Sequence, residues 1–150
     1  MGHTYISNLL HCVFSTKGRE RYITPPLQER LWPFMGGIAR QHKMRGLGIG
    51  GVEDHVHILL SLPATMQIAE AMRLIKGGSS KWVHNEFRSH GRFEWQEGYG
   101  AFSIGIAQVD DTIAYIRNQK EHHRKRTFQE EYIAFLKAHR IEYDERYIWD

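Results

Sequence analysis

The 150-residue sequence has little cysteine and no long apolar run, and each shortage excludes a class of protein. Its single cysteine, Cys12, cannot form an internal disulfide, which fits a reducing compartment. No apolar stretch approaches the roughly 20 residues needed to cross a bilayer, and no secretory signal opens the chain. We therefore predict a cytoplasmic protein without a membrane partner.

Length and composition are those of an ordinary globular protein. A chain of 150 residues predicts one domain, 1–150, and a hydrophobic content of 41% is enough for a core. The net charge of +3 is mildly basic, but five cations and one anion are concentrated in residues 117–126, RNQKEHHRKR. Such a cluster can attract phosphates, and it is equally typical of a solvated helix face.

The order of apolar patterns predicts the fold class. β-branched and aromatic runs indicate strands, and apolar residues at helical spacing indicate helices. We expect the first helix to be bent or weakened at Pro33 and at Gly36-Gly37, and the second to be interrupted or kinked by the KGGSS segment at residues 76–80. A further helix is expected over residues 113–126. The resulting βαββαβ order predicts an α+β, ferredoxin-like fold, an antiparallel sheet with helices on one face and extra C-terminal helices.

Two histidines stand two positions apart in the apolar run GVEDHVHILLSL. Side chains at i and i+2 of a strand point the same way, so His55 and His57 share one face. Neutral imidazole is the commonest metal ligand in proteins, and Glu53 and Asp54 are placed to orient the rings. The motif therefore indicates either a metal site or a hydrogen-bonded histidine pair on a half-buried sheet.

A tyrosine and a glutamine follow at helical spacing. Tyr115 and Gln119 are four residues apart and are expected on one helix face, with His122 or His123 one turn further along. The pattern alone is equally compatible with a core tyrosine and a surface glutamine.

The histidine and tyrosine motifs together resemble a known family. HVH at 55–57 and YIRNQ at 115–119 are similar to the motifs of the single-tyrosine HUH transposases of the insertion-sequence 200/605 type and their REP-associated relatives. HUH denotes histidine, a bulky hydrophobic residue and histidine. The stretches 11–23, 76–82 and 97–105 also resemble this family, so the likeness extends in order over nearly the whole chain.

This resemblance implies a mechanism. It implies that His55, His57 and Gln119 hold a divalent metal, Mg²⁺ or Mn²⁺, which polarises a phosphodiester of single-stranded DNA. Tyr115 is the implied nucleophile, and the products are a 5′-phosphotyrosine and a free 3′-OH. Two later histidines are alternatives to Gln119 as a ligand, His122 and His123.

The resemblance also implies partners. Family members recognise DNA hairpins and act as homodimers, in which the tyrosine helix of one subunit often completes the metal site of the other. On this basis eight residues are candidates for DNA contacts: Lys17, Arg19, Lys76, Ser79, Ser80, Lys81, Arg117 and Lys120. The same residues are also typical of a polar loop, a kinked helix and a solvated helix face. Neither the residues nor the resemblance assigns a role to residues 127–150.

Three other functions remain open at this point. An HUH nickase or relaxase would share the histidines, although such proteins are usually longer. A domesticated REP-associated transposase would share every catalytic residue and differ in its target. From another class, a non-enzymatic module that binds RNA or single-stranded DNA is suggested by GYGAF at 98–102, which is similar to an aromatic-glycine strand motif on the same fold.

Overall fold

A computed structural model describes residues 2–150, and this range contains four strands and five α-helices. They follow in the order β1 (Leu9–Ser15), α1 (Pro25–Gln41), β2 (Arg45–Val52), β3 (His55–Ser61), α2 (Ile68–Glu86), β4 (Gly100–Ile104), α3 (Val109–Arg117), α4 (Gln119–His122) and α5 (Phe128–Ala138). The strands form one antiparallel sheet in the order β2-β3-β1-β4. The predicted α+β fold class is confirmed. Within residues 2–150, no helix has the length and apolar character needed to cross a membrane.

The two faces of the sheet are covered by different helices. Val56, Ile58 and Leu60 of β3 are fully buried in a core built with α1 and α2. On the opposite face, Val13 of β1 and Phe102 of β4 form a second core with the apolar side of α5. Because side chains alternate along a strand, β3 directs its histidines towards this second face. The C-terminal helices therefore cover the face on which the predicted site lies.

Two helices are continuous through the positions at which the sequence predicts a disturbance. α1 continues through Pro33 and Gly36-Gly37, and α2 continues through residues 76–80. Packing outweighs local propensity here, since both helices bury an apolar stripe against the sheet. A Cβ at Gly78 would lie 2.9 Å from Cδ1 of Ile38, so the glycine in α2 permits close contact with α1. Of the two disturbances predicted for α2, the interruption is therefore wrong.

The helix predicted over residues 113–126 is shorter and broken. α3 ends at Arg117, and Asn118 leaves the helical region with φ −101° and ψ 23° before the single turn of α4. α3 lies against β2, where a Cβ on Gly50 would meet the carbonyl oxygen of Ile116 at 2.6 Å. Glycine thus lets the helix that carries Tyr115 approach the sheet backbone closely.

Candidate active site

The two histidines of β3 lie side by side, fully buried beneath the C-terminal helices. Nδ1 of His55 lies 2.7 Å from the carboxylate of Asp54, and Nδ1 of His57 lies 2.8 Å from Nε2 of His11 on β1. These contacts orient both rings and leave the two Nε2 atoms facing the C-terminal helices. Asp54 has the orienting position that the sequence predicts for it, whereas His11 was not predicted.

Gln119 reaches the histidines because the chain turns at Asn118. Its side chain is 1% exposed, and its Nε2 donates to the carbonyl oxygen of Tyr115 at 3.1 Å. The amide oxygen Oε1 consequently faces inward, 3.2 Å from Nε2 of His55 and 3.0 Å from Nε2 of His123. The structure thus places Gln119 and one of the alternative ligands, His123, at the same site.

The central carboxylate of this site, Glu131, was missed in the sequence. It comes from α5 and is 1% exposed. Oε1 accepts a hydrogen bond from Nε2 of His57 at 2.9 Å and lies 3.5 Å from Nε2 of His55. The sequence contains a signal that could have identified this residue. Glu131 lies on the apolar side of α5, between Phe128 and Phe135. A carboxylate at such a position is rarely buried unless it is paired.

Tyr115 lies within the same chain as the histidines and close to them. The ring centroids of Tyr115 and His57 are 5.6 Å apart. The phenol donates a hydrogen bond to the carboxylate of Glu131, and its oxygen lies 3.0 Å from Nε2 of His122. Burial and the negative charge of Glu131 raise the pKa of Tyr115 above its ordinary value. The phenol also borders a cleft of about 400 Å³ that is lined in part by Arg126.

The electrostatics of the site keep its central carboxylate ionised. Burial lowers the pKa of His57 to about 4, so this imidazole is neutral near pH 7. Burial alone raises the pKa of Glu131, but hydrogen bonds from His123 and His57 outweigh it and hold the carboxyl's pKa below its ordinary value. Burial likewise lowers the pKa of His123, yet its bond to Glu131 raises it above its ordinary value. An ionised carboxylate therefore lies beside the neutral imidazole of His57.

The donor set fits a divalent metal ion. His55, His57, His123 and Glu131 each offer one ligand atom, and these atoms all lie within 4.8 Å of one another. Imidazole nitrogen and carboxylate oxygen are both ligands that divalent ions accept. The amide oxygen of Gln119 lies beside them and adds a further oxygen.

Three of the predicted DNA-contacting cations make contacts within the protein. Nζ of Lys17 lies 3.7 Å from the carboxylate of Glu94, and the guanidinium of Arg19 lies 5.4 Å from the centre of the Trp149 ring. Nζ of Lys76 donates to the carbonyl oxygens of residues 97 and 98, and burial lowers the pKa of this lysine to about 8.

Two predicted hydroxyl contacts have different surroundings. Ser79 is fully buried, where its hydroxyl donates to the carbonyl oxygen of Ile75 at 2.6 Å and accepts from Nε1 of Trp95 at 2.9 Å. A hydroxyl so placed does not reach a phosphate, so the prediction for Ser79 is wrong. Ser80 is half-buried, and Lys81 is exposed on the same helix.

Basic side chains are concentrated beside His123, one of the candidate metal ligands. Arg117 and Lys120 are exposed, as a phosphate contact requires. Lys120 lines a cleft of about 580 Å³ that also reaches His123. Four arginine and lysine side chains complete the basic wall of this cleft: Arg21, Arg124, Lys125 and Arg126.

The aromatic residues of the GYGAF segment do not form an exposed platform. Phe102 is buried beneath α5, where its ring stacks on Phe135 with centroids 5.3 Å apart. The ring of Tyr99 packs against the first core, 5.9 Å from Nζ of Lys76. Since binding modules of this type stack bases on exposed strand aromatics, the structure does not support that alternative.

Comparisons with known proteins agree with the motifs. The sequence model of the family described as "Transposase IS200 like" matches residues 4–119. The transposases for insertion sequence element IS200 of Salmonella typhimurium and Salmonella typhi are each 26% identical to this chain over 128 residues, covering 81% of it and 82% of the relative.

Solved structures show the same fold. A candidate transposase from Deinococcus radiodurans R1 has a TM-score of 0.63 at 22% identity, covering 79% of this chain and 96% of the other. A REP-associated tyrosine transposase, solved with a REP hairpin, has a TM-score of 0.60 at 14% identity, covering 82% of this chain and 73% of the other. With a family match that spans most of its length, the chain belongs to the IS200-like transposase family.

Proposed function

We propose that this protein cleaves and rejoins single-stranded DNA at hairpin-marked element ends, with Tyr115 as the nucleophile. The observation that carries the proposal is the position of Tyr115. Its hydroxyl shares the Glu131 carboxylate with His57, so nucleophile and candidate metal ligands meet in one site. The family match supplies the reaction class, since transposases break and join DNA strands.

The proposed chemistry is a transesterification. The phenolic oxygen of Tyr115 bonds to the scissile phosphorus, the bond from phosphorus to the 3′ oxygen breaks, and the phenolic proton is released as the 3′-OH forms. A 5′-phosphotyrosine remains. It retains a phosphodiester bond of similar energy, so a second 3′-OH can attack it and restore the strand without ATP. Attack by water would lose this linkage and degrade the DNA.

A divalent metal, Mg²⁺ or Mn²⁺, is the cofactor that we propose for this reaction. When bound, such an ion supplies Lewis-acid polarisation of the phosphodiester. His55, His57 and Gln119 are the residues that we expect to hold it. Asp54 and His11 orient the two imidazoles through their Nδ1 atoms. The resemblance named these ligands, and their convergence in the structure supports them.

The proposed substrate is a DNA hairpin with a single-stranded flank. The structural neighbour solved with a REP hairpin supports this substrate class. The cleft that reaches His123 offers cationic side chains to the flanking phosphates, which would favour binding at low salt. Of the predicted contacts, Lys120 lines this cleft and Arg117 is exposed near Tyr115. The other candidates that we retain lie elsewhere on the surface: Lys17, Arg19, Lys76, Ser80 and Lys81.

We propose that the protein acts as a homodimer whose active sites are each completed within one subunit. Tyr115 lies beside His57 of its own chain, so one subunit alone brings the proposed nucleophile to the histidines. Mixing two inactive variants, Tyr115→Phe and His57→Asn, distinguishes this arrangement from exchange of the tyrosine helix. Exchange between subunits would restore one intact site in a mixed dimer, and we expect no restored activity.

A denaturing gel tests the proposed function. Single-stranded DNA with an element-end hairpin is incubated with Mn²⁺ or Mg²⁺ and wild-type protein, Tyr115→Phe or the exposed control Tyr147→Phe. We expect a metal-dependent covalent protein–DNA band with wild type and Tyr147→Phe, and no band with Tyr115→Phe. A band with Tyr115→Phe would exclude this nucleophile. Tight binding without any band would favour the non-enzymatic binding module.

A further inference from the structure

Glu131 lies on a helix outside the family match, which ends at residue 119. α5 begins at an N-terminal capping box, in which the hydroxyl of Thr127 accepts a hydrogen bond from the backbone N–H of Glu130. Its apolar residues Phe128, Tyr132 and Leu136 pack on Val13 and Phe102 of the sheet. This packing holds the carboxylate against the histidines and does not depend on a bound ligand.

The carboxylate of Glu131 lacks a permanent cationic partner among the described residues. Its ion-pair contacts of 4.0 Å or less are with four histidines, at 3.5 Å for His55, 2.9 Å for His57, and 3.3 Å for both His122 and His123. Burying an ionised carboxylate costs several kcal/mol unless a positive charge or a full set of hydrogen bonds compensates.

The hydrogen bonds cannot all be satisfied by neutral rings. A neutral imidazole carries one N–H. In His55 that N–H is used by Asp54 at Nδ1. Nε2 of His55 then presents a lone pair to two oxygens, Oε1 of Glu131 at 3.5 Å and Oε1 of Gln119 at 3.2 Å. Lone pairs that face one another repel, and a cation between them removes the repulsion.

We propose that Oε1 of Glu131 is a ligand of the divalent metal. The other carboxylate oxygen, Oε2, accepts the hydrogen bond from Tyr115 and so holds the phenol next to the ion. This inference rests on the proposed function and adds a ligand from α5 to the two histidines and Gln119. One carboxylate then sets the distance between ion and nucleophile. Because the set contains several imidazoles, which Mg²⁺ accepts poorly, the site should bind Mn²⁺ more tightly than Mg²⁺.

Mn²⁺ titration tests the assignment without measuring catalysis. Free Mn²⁺ is followed by its electron paramagnetic resonance signal in wild type, Glu131→Gln, His57→Asn and Glu142→Gln, the last an exposed carboxylate that serves as control. We expect wild type and Glu142→Gln to bind one ion equally. His57→Asn should abolish binding. Glu131→Gln should weaken it by at least the roughly 10-fold to 100-fold that is lost when a residue that only orients a ligand is replaced. Excess Mg²⁺ should displace the ion only at much higher concentration.

The outcomes separate the two proposals. Wild-type affinity in Glu131→Gln, with binding lost in His57→Asn, would overturn the role of Glu131 and leave the histidine site intact. Equal affinity in wild type and His57→Asn, or no binding by wild type, would overturn the metal site itself and with it this inference.

A second measurement applies if Glu131→Gln does not fold. Wild-type protein with ¹³C at its glutamate carboxyl carbons is loaded with Mn²⁺ and studied by electron–nuclear double resonance. We expect one strongly coupled carboxyl carbon, and within residues 2–150 Glu131 is the only glutamate of the ligand cluster. Absence of such coupling would overturn the assignment.

Discussion

Gly50→Ala should displace the helix that carries the proposed nucleophile. The added Cβ would lie 2.6 Å from the carbonyl oxygen of Ile116 and 3.1 Å from Cγ2 of the same residue. Ordinary contacts begin near 3.4 Å, so α3 or β2 must move by about 0.8 Å. The obstructing atom is backbone, and a change of rotamer cannot relieve the contact. Ile116 directly follows Tyr115, so the displacement reaches the phenol.

Overpacking of this kind costs about 1–3 kcal/mol of the free energy of unfolding. Two matched glycine-to-alanine substitutions serve as references for the loss of stability in Gly50→Ala. Gly48→Ala, also on β2, would place a Cβ 3.4 Å from the flexible side chain of Ile113 and should cost less. Gly77→Ala lies on α2 with no atom within 4 Å of the new Cβ, and should stabilise by roughly 0.5–1 kcal/mol because alanine favours a helix.

Urea unfolding, followed by circular dichroism, measures all three variants against wild type. We expect the order of stability Gly77→Ala, wild type, Gly48→Ala and Gly50→Ala. We also expect Gly50→Ala to lose roughly 100-fold in adduct formation, the scale for a displacement near 1 Å. A urea midpoint for Gly50→Ala equal to that of wild type would refute the close packing of α3 on β2.

Three further predictions concern stability. Lowering the pH of metal-free protein from 6.5 to 4 should reduce the free energy of unfolding by at least about 3 kcal/mol. Burial lowers the pKa of His57 to about 4 and that of His11 to about 3, so the unfolded chain takes up these protons first. A flat urea-midpoint profile would contradict this. Ser79→Ala should lower the free energy of unfolding by about 1–3 kcal/mol, since it leaves the buried indole N–H of Trp95 unpaired. The neighbouring Ser80→Ala should have little effect, and equal urea midpoints for the two variants would argue against the buried hydrogen bond. Thr127→Ala should cost about 1 kcal/mol through loss of the α5 cap, and an unchanged thermal midpoint would contradict it.

Much of the fold could be predicted because its signals are local. Alternation along β3 placed His55 and His57 on the face opposite Val56 and Ile58, as the structure has them. The order of strands and helices likewise follows from periodicity, which each segment carries in its own residues. Motif order then indicated the family, and the comparisons confirmed it.

The rest of the site depends on contacts between distant segments. Glu131 is 74 residues from His57, and the apolar side of α5 predicts a helix without predicting which sheet face it covers. The break at Asn118 has no glycine or proline to indicate it. Ser79 belongs to a polar segment that suggests a surface, but it is buried, and its hydroxyl is paired with the distant Trp95.

The identity of the nucleophile is the central claim, and peptide mapping of the covalent adduct tests it most directly. After reaction with hairpin DNA and nuclease trimming, trypsin should release residues 93–117, which contain both Tyr99 and Tyr115. Fragment masses should place a 5′-linked nucleotide on Tyr115 and leave Tyr99 unmodified. A nucleotide on any other residue, or cleaved DNA with no modified peptide, would contradict the proposed mechanism.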